Sequence, residues 1–116
     1  LGVKESLMLE YPDGGFIPGP ELRKKLVYYV RKLKADRIVT FDPWATYEVH
    51  PDHLIVGRMA SEAGAFAVFP LLYPEQIKEG VKPYACSEIW YMGLLGHLPN
   101  YFVDISSTSK RKLMLS

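Results

Sequence analysis

Residues 37–53 read RIVTFDPWATYEVHPDH, and the pattern changes twice along them. Arg37-Ile38-Val39-Thr40-Phe41 is rich in β-branched and aromatic side chains, the composition of a pleated strand. Asp42-Pro43 stops it, because proline has no N–H to give to a ladder. Trp44 to Val49 reads as a loop. Pro51 then stands where a first helical turn tolerates a missing donor, and a helix is expected through Leu54, Ile55, Val56, Met59, Ala60 and Ala63. Gly57, Ala60 and Gly64 are small enough to let that helix pack close to a neighbour.

Upstream, Ser6-Leu7-Met8-Leu9 reads as a short buried strand entering the turn Tyr11-Pro12-Asp13-Gly14-Gly15. Pro20 opens the clearest helix, with Leu22, Leu26, Tyr29, Val30 and Leu33 repeating at i, i+4, i+7, i+8 and i+11. Arg23, Lys24, Lys25, Arg31, Lys32 and Lys34 read as its solvated face. Downstream, residues 69–83 are expected to be an irregular surface excursion. Ala85 to Met92 forms a second strand, Gly93 to Asn100 a loop, and Tyr101 to Ile105 the last strand. Ser106 to Ser109 and the basic run after them begin a helix. Strand, helix, strand, helix, strand, strand, helix is the order of a layered α/β domain with a mainly parallel sheet.

Composition narrows the function. The 116 residues, 48% apolar and 23% charged, suit one globular domain or part of one. Fourteen basic against 13 acidic side chains leave a net charge of +1. Such neutrality offers no electrostatic footprint for nucleic acid or for an anionic membrane surface. No apolar run approaches the roughly 20 residues that cross a bilayer, and no leader segment is visible, so the default expectation is a soluble, cytoplasmic protein. Cys86 stands alone, which excludes an internal disulfide and a cysteine-rich zinc site; in its apolar strand it reads as an inert buried thiol. The first residues are Leu1-Gly2, with no initiator Met, and both ends fall within expected elements. Residues 1–116 are therefore read as a single partial domain, truncated at both ends.

In open α/β sheets, ligands sit beyond the carboxyl ends of the strands. Asp42 ends one strand there, and His50 and His53 follow at i, i+3 on the first turn of the next helix, with both rings able to share one side. Asp42 and Asp52 supply carboxylates that can orient an imidazole through its second nitrogen. The free N–H groups of the helix start favour an anion or a developing oxyanion. A bare H-x-x-H also suits polar surface residues at a helix start. A hydrolytic zinc takes about three protein ligands and one water, and the remaining histidine, His97, lies in a distant loop. A metal site built on this stretch must draw ligands from elsewhere.

The segments LGVKESLMLEYPDGGF, ELRKKLVYYVRKLKADRIVT and RIVTFDPWATYEVHPDH, with the later YFVDISSTSKRKLML, together resemble the LmbE/PIG-L family of zinc-dependent N-deacetylases. Asp-Pro followed by His-Pro-Asp-His is the specific part, and the likeness spans nearly the whole chain. It implies a Rossmann-like layered fold. It also implies a His-Pro-Asp-Asp segment upstream of Leu1, carrying two further zinc ligands and the catalytic base. Residue by residue, the resemblance makes His53 the third zinc ligand and His50 the histidine that stabilises the tetrahedral intermediate. Asp42 matches the strand-end aspartate and is assigned to orienting His50. Some members carry a tyrosine two residues before the first histidine; here Glu48 stands there, with Tyr47 one further back. The implied reaction is hydrolysis of the acetamide of an N-acetylglucosamine-type substrate by metal-activated water in the intact parent, the fragment alone being inactive.

Trp44 and Tyr47, in the loop before the motif, either stack on a sugar face or cover the core edge. Asp13 reads as a turn former; Trp90 and Tyr91 read as core or interface residues. A non-catalytic α/β domain of the same fold, binding carbohydrate or forming a homo-oligomer, is the alternative. A dinucleotide-binding domain is disfavoured because neither G-x-G-x-x-G nor G-x-x-x-x-G-K occurs.

Overall fold

The computed structural model of the chain describes residues 2–93 and 99–115. Its elements run α1 (Pro20–Leu33), β1 (Arg37–Phe41), α2 (Pro51–Phe66), α3 (Pro74–Lys78), β2 (Glu88–Met92) and α4 (Ser109–Leu115). Helix α1 starts with proline in its first turn and ends at Lys34, whose left-handed backbone turns its N–H back onto Val30 and Arg31 carbonyls. Strands β1 and β2 pair in parallel, in a register that sets Arg37 against Glu88 and Phe41 against Met92. Parallel neighbours need a crossover, and α2 supplies it. The α/β reading with a parallel sheet therefore holds for the described residues.

Helix α2 lies on both the sheet and α1. Val27 and Val30 of α1 meet Ala63 of α2 and Ala67 just beyond it, with Leu26, Ile38, Phe66 and Tyr73 around them. Close approach is possible because the sheet-facing side of α2 is thin. A Cβ at Gly64 would stand 3.0 Å from Ile38 Cδ1 and 3.1 Å from Ile89 Cδ1. A Cβ at Gly57 would overlap the Phe41 carbonyl oxygen and stand 3.2 Å from Pro43 N. The latter obstruction is backbone, which cannot swing aside.

Several expectations require correction. The residues of α1 that face inward are Leu22, Val27, Val30 and Arg31, while Leu33 is exposed. Arg31, assigned to the solvated face, is 2% exposed. Its guanidinium donates to the carbonyls of Ala67, Phe69 and Leu72 and to Gln76 Oε1, at 2.7–2.9 Å. Five N–H donors in a rigid fork suit a curved run of carbonyls, so this arginine ties down the stretch after α2. That stretch contains the one-turn helix α3 rather than being wholly irregular. Gln76 extends the tie by donating to Lys24 O.

Residues 6–9 and 101–105, expected as strands, are not strands. Among the described residues no neighbouring strand completes their ladders, and Leu7, Met8, Phe102 and Val103 are exposed. Alternating apolar side chains favour a strand only where a partner takes up the backbone groups. Cys86 is half-buried rather than buried and precedes β2. The expected loop 93–100 falls largely outside the described residues, as does His97.

Three outcomes are expected from these contacts. Gly57→Ala should destabilise the protein by about 2 kcal/mol, because the added methyl meets immovable backbone. Arg31→Met should cost about 3 kcal/mol by removing four charge-assisted hydrogen bonds that hold the stretch after α2 and by leaving the buried Gln76 without its donor. Both are read from chemical denaturation. The Glu62 carboxyl lies below its ordinary 4.5 because Arg58 donates to it, with Arg23 adding to the effect against burial. A lowered folded pKa contributes stability above the ordinary value that disappears as pH falls through the folded one. Glu62→Gln should accordingly flatten the acid limb of the stability curve below about pH 4.5.

Candidate active site

The loop from β1 to α2 is built of consecutive turns. Asp42 Oδ1 accepts the Trp44 N–H at 2.9 Å, Ala45 N–H donates to Asp42 O, and Glu48 N–H donates to Ala45 O. These turns return the chain to the end of β1, where His50 caps α2 in extended conformation and Pro51 begins the helix. His53 N–H closes the first helical turn on His50 O.

The two histidines come together with Phe41. The His53 ring lies parallel to the Phe41 ring, centroids 4.0 Å apart at 7°, and parallel to the His50 ring, 4.6 Å apart at 15°. His53 is thus the middle of a three-ring stack that joins the last residue of β1 to the cap of α2. The expectation that both imidazoles share one side of the first turn is met, and Phe41 is the member that spacing did not suggest.

Glu48 clamps this stack. Its Oε2 lies 2.8 Å from His53 Nδ1, and its Oε1 accepts the His50 backbone N–H at 2.8 Å. These bonds, that from the His53 ring foremost, hold the Glu48 carboxyl below its ordinary value. An ionised carboxylate only accepts, so Nδ1 of His53 carries the hydrogen, and in the neutral ring Nε2 is then the nitrogen with the lone pair. A histidine prepared in this way is the usual form of an imidazole metal ligand.

Three further acid and imidazole groups converge. Asp13, His50 and Asp52 each offer one ligand atom, all within 4.8 Å of one another. His50 Nε2 lies 3.2 Å from Asp13 Oδ1, and its Nδ1 is buried without a hydrogen-bond partner among the described residues. Asp52, 5% exposed, is committed otherwise: Oδ2 accepts Gly14 N–H at 2.6 Å and Oδ1 accepts Phe16 N–H at 3.3 Å. It ties the 12–15 turn to the start of α2, where the helix dipole also favours its charge. Gly14, at φ +74°, permits that turn, which Gly15 N–H closes on Pro12 O. Asp13, expected as a turn former only, is in the turn and also reaches His50. The Asp13 carboxylate lies beside His50, and the Asp42 carboxylate accepts the Trp44 N–H.

These residues fit a divalent cation. Asp13, His50 and Asp52 each bring one ligand atom within 4.8 Å of the others, and His53, outside that group, has its Nδ1 held by Glu48. The signal for Glu48 was its place two residues before His50; the signal for Asp52 was its place within the motif.

Trp44 and Tyr47 separate. Trp44 packs edge-on against Tyr91 and lines a cleft of about 940 Å³ with Asp42, Trp90, Tyr91 and Tyr101. Tyr91 OH pairs with Ser61 Oγ at 2.9 Å. Tyr47 is exposed and is not part of the cleft lining. No helix among the described residues is long and apolar enough to cross a membrane.

Comparison with known proteins places this arrangement. A curated relative, the diacetylchitobiose deacetylase of Thermococcus kodakarensis, is 35% identical over 113 residues, which cover 97% of this chain and 42% of that protein. Among solved structures, N,N'-diacetylchitobiose deacetylase from Pyrococcus horikoshii, complexed with its inhibitor MPG, matches with a TM-score of 0.89 at 37% identity, over 97% of this chain and 42% of that one. The conserved protein TT1542 from Thermus thermophilus matches with a TM-score of 0.71 at 25% identity, over 89% of this chain and 44% of its own. The chain spans less than half the length of these relatives. The family described as PIG-L, GlcNAc-PI de-N-acetylase, matches residues 1–64, which include the strand, the loop and both histidines. The chain belongs to the PIG-L family, to which the LmbE-like N-deacetylases also belong.

Proposed function

We propose that residues 1–116 are a single partial domain of a cytoplasmic, zinc-dependent hydrolase that removes the acetyl group from an N-acetylglucosamine-type substrate. On this reading β1 and β2 are part of a larger Rossmann-like layered sheet, and the intact protein is free to form a homo-oligomer. The carrying observation is the state of His53, its ring stacked between Phe41 and His50 and its Nδ1–H on Glu48, at the carboxyl end of a parallel strand. The likeness to deacetylases of an acetylated chitobiose supports the substrate class.

In this reading His53 holds the zinc through Nε2, and the remaining donors and the base come from a segment outside residues 1–116. When bound, zinc supplies Lewis acidity, lowering the pKa of water towards about 7 and polarising the acetyl carbonyl. The protein's own residues do the rest. His50, protonated, donates to the oxygen that becomes an oxyanion as the amide carbon turns tetrahedral. Asp13 holds a proton at His50 Nε2 through its 3.2 Å contact. Asp42 supports His50 through the turn it closes on Trp44, and so through the path of the loop. Trp44 offers its indole face to the sugar at the cleft, and Tyr47, away from the cleft lining, an exposed ring to a more distant part of the substrate. Water adds across the amide bond, the C–N bond breaks, and acetate and a free amine leave.

In the full-length protein, His53→Ala should abolish tight zinc binding. His50→Ala should keep zinc and lower kcat by ~10²–10³. On this assignment His53 is the one zinc ligand within residues 1–116 where roughly three are needed, so these residues alone should not deacetylate N-acetylchitooligosaccharides. Zinc content by mass spectrometry and release of acetate read these outcomes. Wild-type zinc content in the His53→Ala protein would overturn the ligand assignment, and turnover by residues 1–116 would overturn the need for outside donors.

A further inference from the structure

We propose that Glu48 is the positioning residue of this site, a single carboxylate that sets both the tautomer and the in-plane rotation of His53 while fixing the backbone that carries His50. The inference rests on the reading of His53 as a metal ligand, but its geometric basis is independent of any ion.

An imidazole that must direct one nitrogen at a fixed point has three freedoms to lose: the tilt of its plane, its rotation within that plane, and the choice of protonated nitrogen. Phe41 on one face and His50 on the other, at interplanar angles of 7° and 15°, remove the first. Stacking leaves the second almost untouched, because a ring slides and turns between two flat neighbours at little cost. The Nδ1–H bond to Glu48 Oε2 at 2.8 Å removes it. The same bond removes the third, since an acceptor-only partner demands a hydrogen on Nδ1. Nε2 is then the only basic nitrogen, aimed in one direction.

The second oxygen explains why a carboxylate stands here. Oε1 takes the His50 N–H at 2.8 Å, a group that lies ahead of the helix ladder. One side chain thereby couples the ring at 53 to the main chain at 50, and displacing either moves the other. Glu48 itself is set by the turn in which its N–H donates to Ala45 O, so its backbone does not wander. Its side chain, 27% exposed, is shielded enough for these charge-assisted bonds to be strong. A glutamate serving only the loop would need just the main-chain contact.

The test uses the full-length protein and two readouts. Ring-nitrogen NMR of the metal-free protein should find His53 with hydrogen on Nδ1, and Glu48→Ala should shift it towards the Nε2–H form. Zinc affinity by chelator competition should fall ~10–100-fold in Glu48→Ala. Glu48→Gln, which keeps one oxygen acceptor, should lie between. Wild-type protein with hydrogen on His53 Nε2 and none on Nδ1 would overturn the proposal without any variant. So would wild-type zinc affinity in Glu48→Ala when His53→Ala has lost it. Zinc affinity unaffected by His53→Ala would instead defeat the ligand assignment, and the tautomer would still report on Glu48.

Discussion

At Gly57 the helix α2 comes so close to the end of β1 that no side chain fits between them, and the site depends on that approach. Gly57 lies four residues after His53, so the two share a face of the helix. Pressing this face onto the strand brings the His53 ring over Phe41. A wider separation would leave the imidazole without its lower neighbour. Gly64, two turns further on, repeats the device against Ile38 and Ile89, so the helix approaches the sheet closely at a second point. The histidine pair is thus positioned by a packing constraint located elsewhere on the same helix.

Three carboxylates surround the pair, and their surroundings give them different work. Asp52 is buried and saturated by two backbone N–H groups, so its charge is spent on joining the 12–15 turn to α2. Glu48 is shared between a ring and a main-chain amide. Asp13 is almost fully exposed and touches His50 from the solvent side. Only the last retains freedom to exchange partners. Residue type alone does not distinguish them; their places do, Asp13 in the 12–15 turn, Glu48 in the loop before α2 and Asp52 in the first turn of α2.

The stretch after α2 shows how a buried cation organises irregular chain. Arg31 collects carbonyls from three residues that no regular element satisfies, and burial pulls its pKa below the ordinary value, only partly offset by Glu75. Seen in one dimension, Arg31 is one of six basic residues on a helix. Its role appears only when the loop arrives beside it.

Helices α1 and α2, strand β1 and the pairing of His50 with His53 were legible in the chain itself, because each rests on local causes. Proline opens both helices, proline closes the strand, and i, i+3 spacing turns two rings to one side. The PIG-L character was legible too, in Asp-Pro followed by His-Pro-Asp-His. The partners were not. Residues 6–9 and 101–105 have strand-like side chains, yet a strand is defined by a neighbour's hydrogen bonds, and none among the described residues supplies them. Asp13 reaches His50 from a turn that precedes α1, and Phe41 meets His53 only because α2 folds back onto β1. Such contacts follow from how elements pack, and packing decides which of several suitable carboxylates meets each histidine.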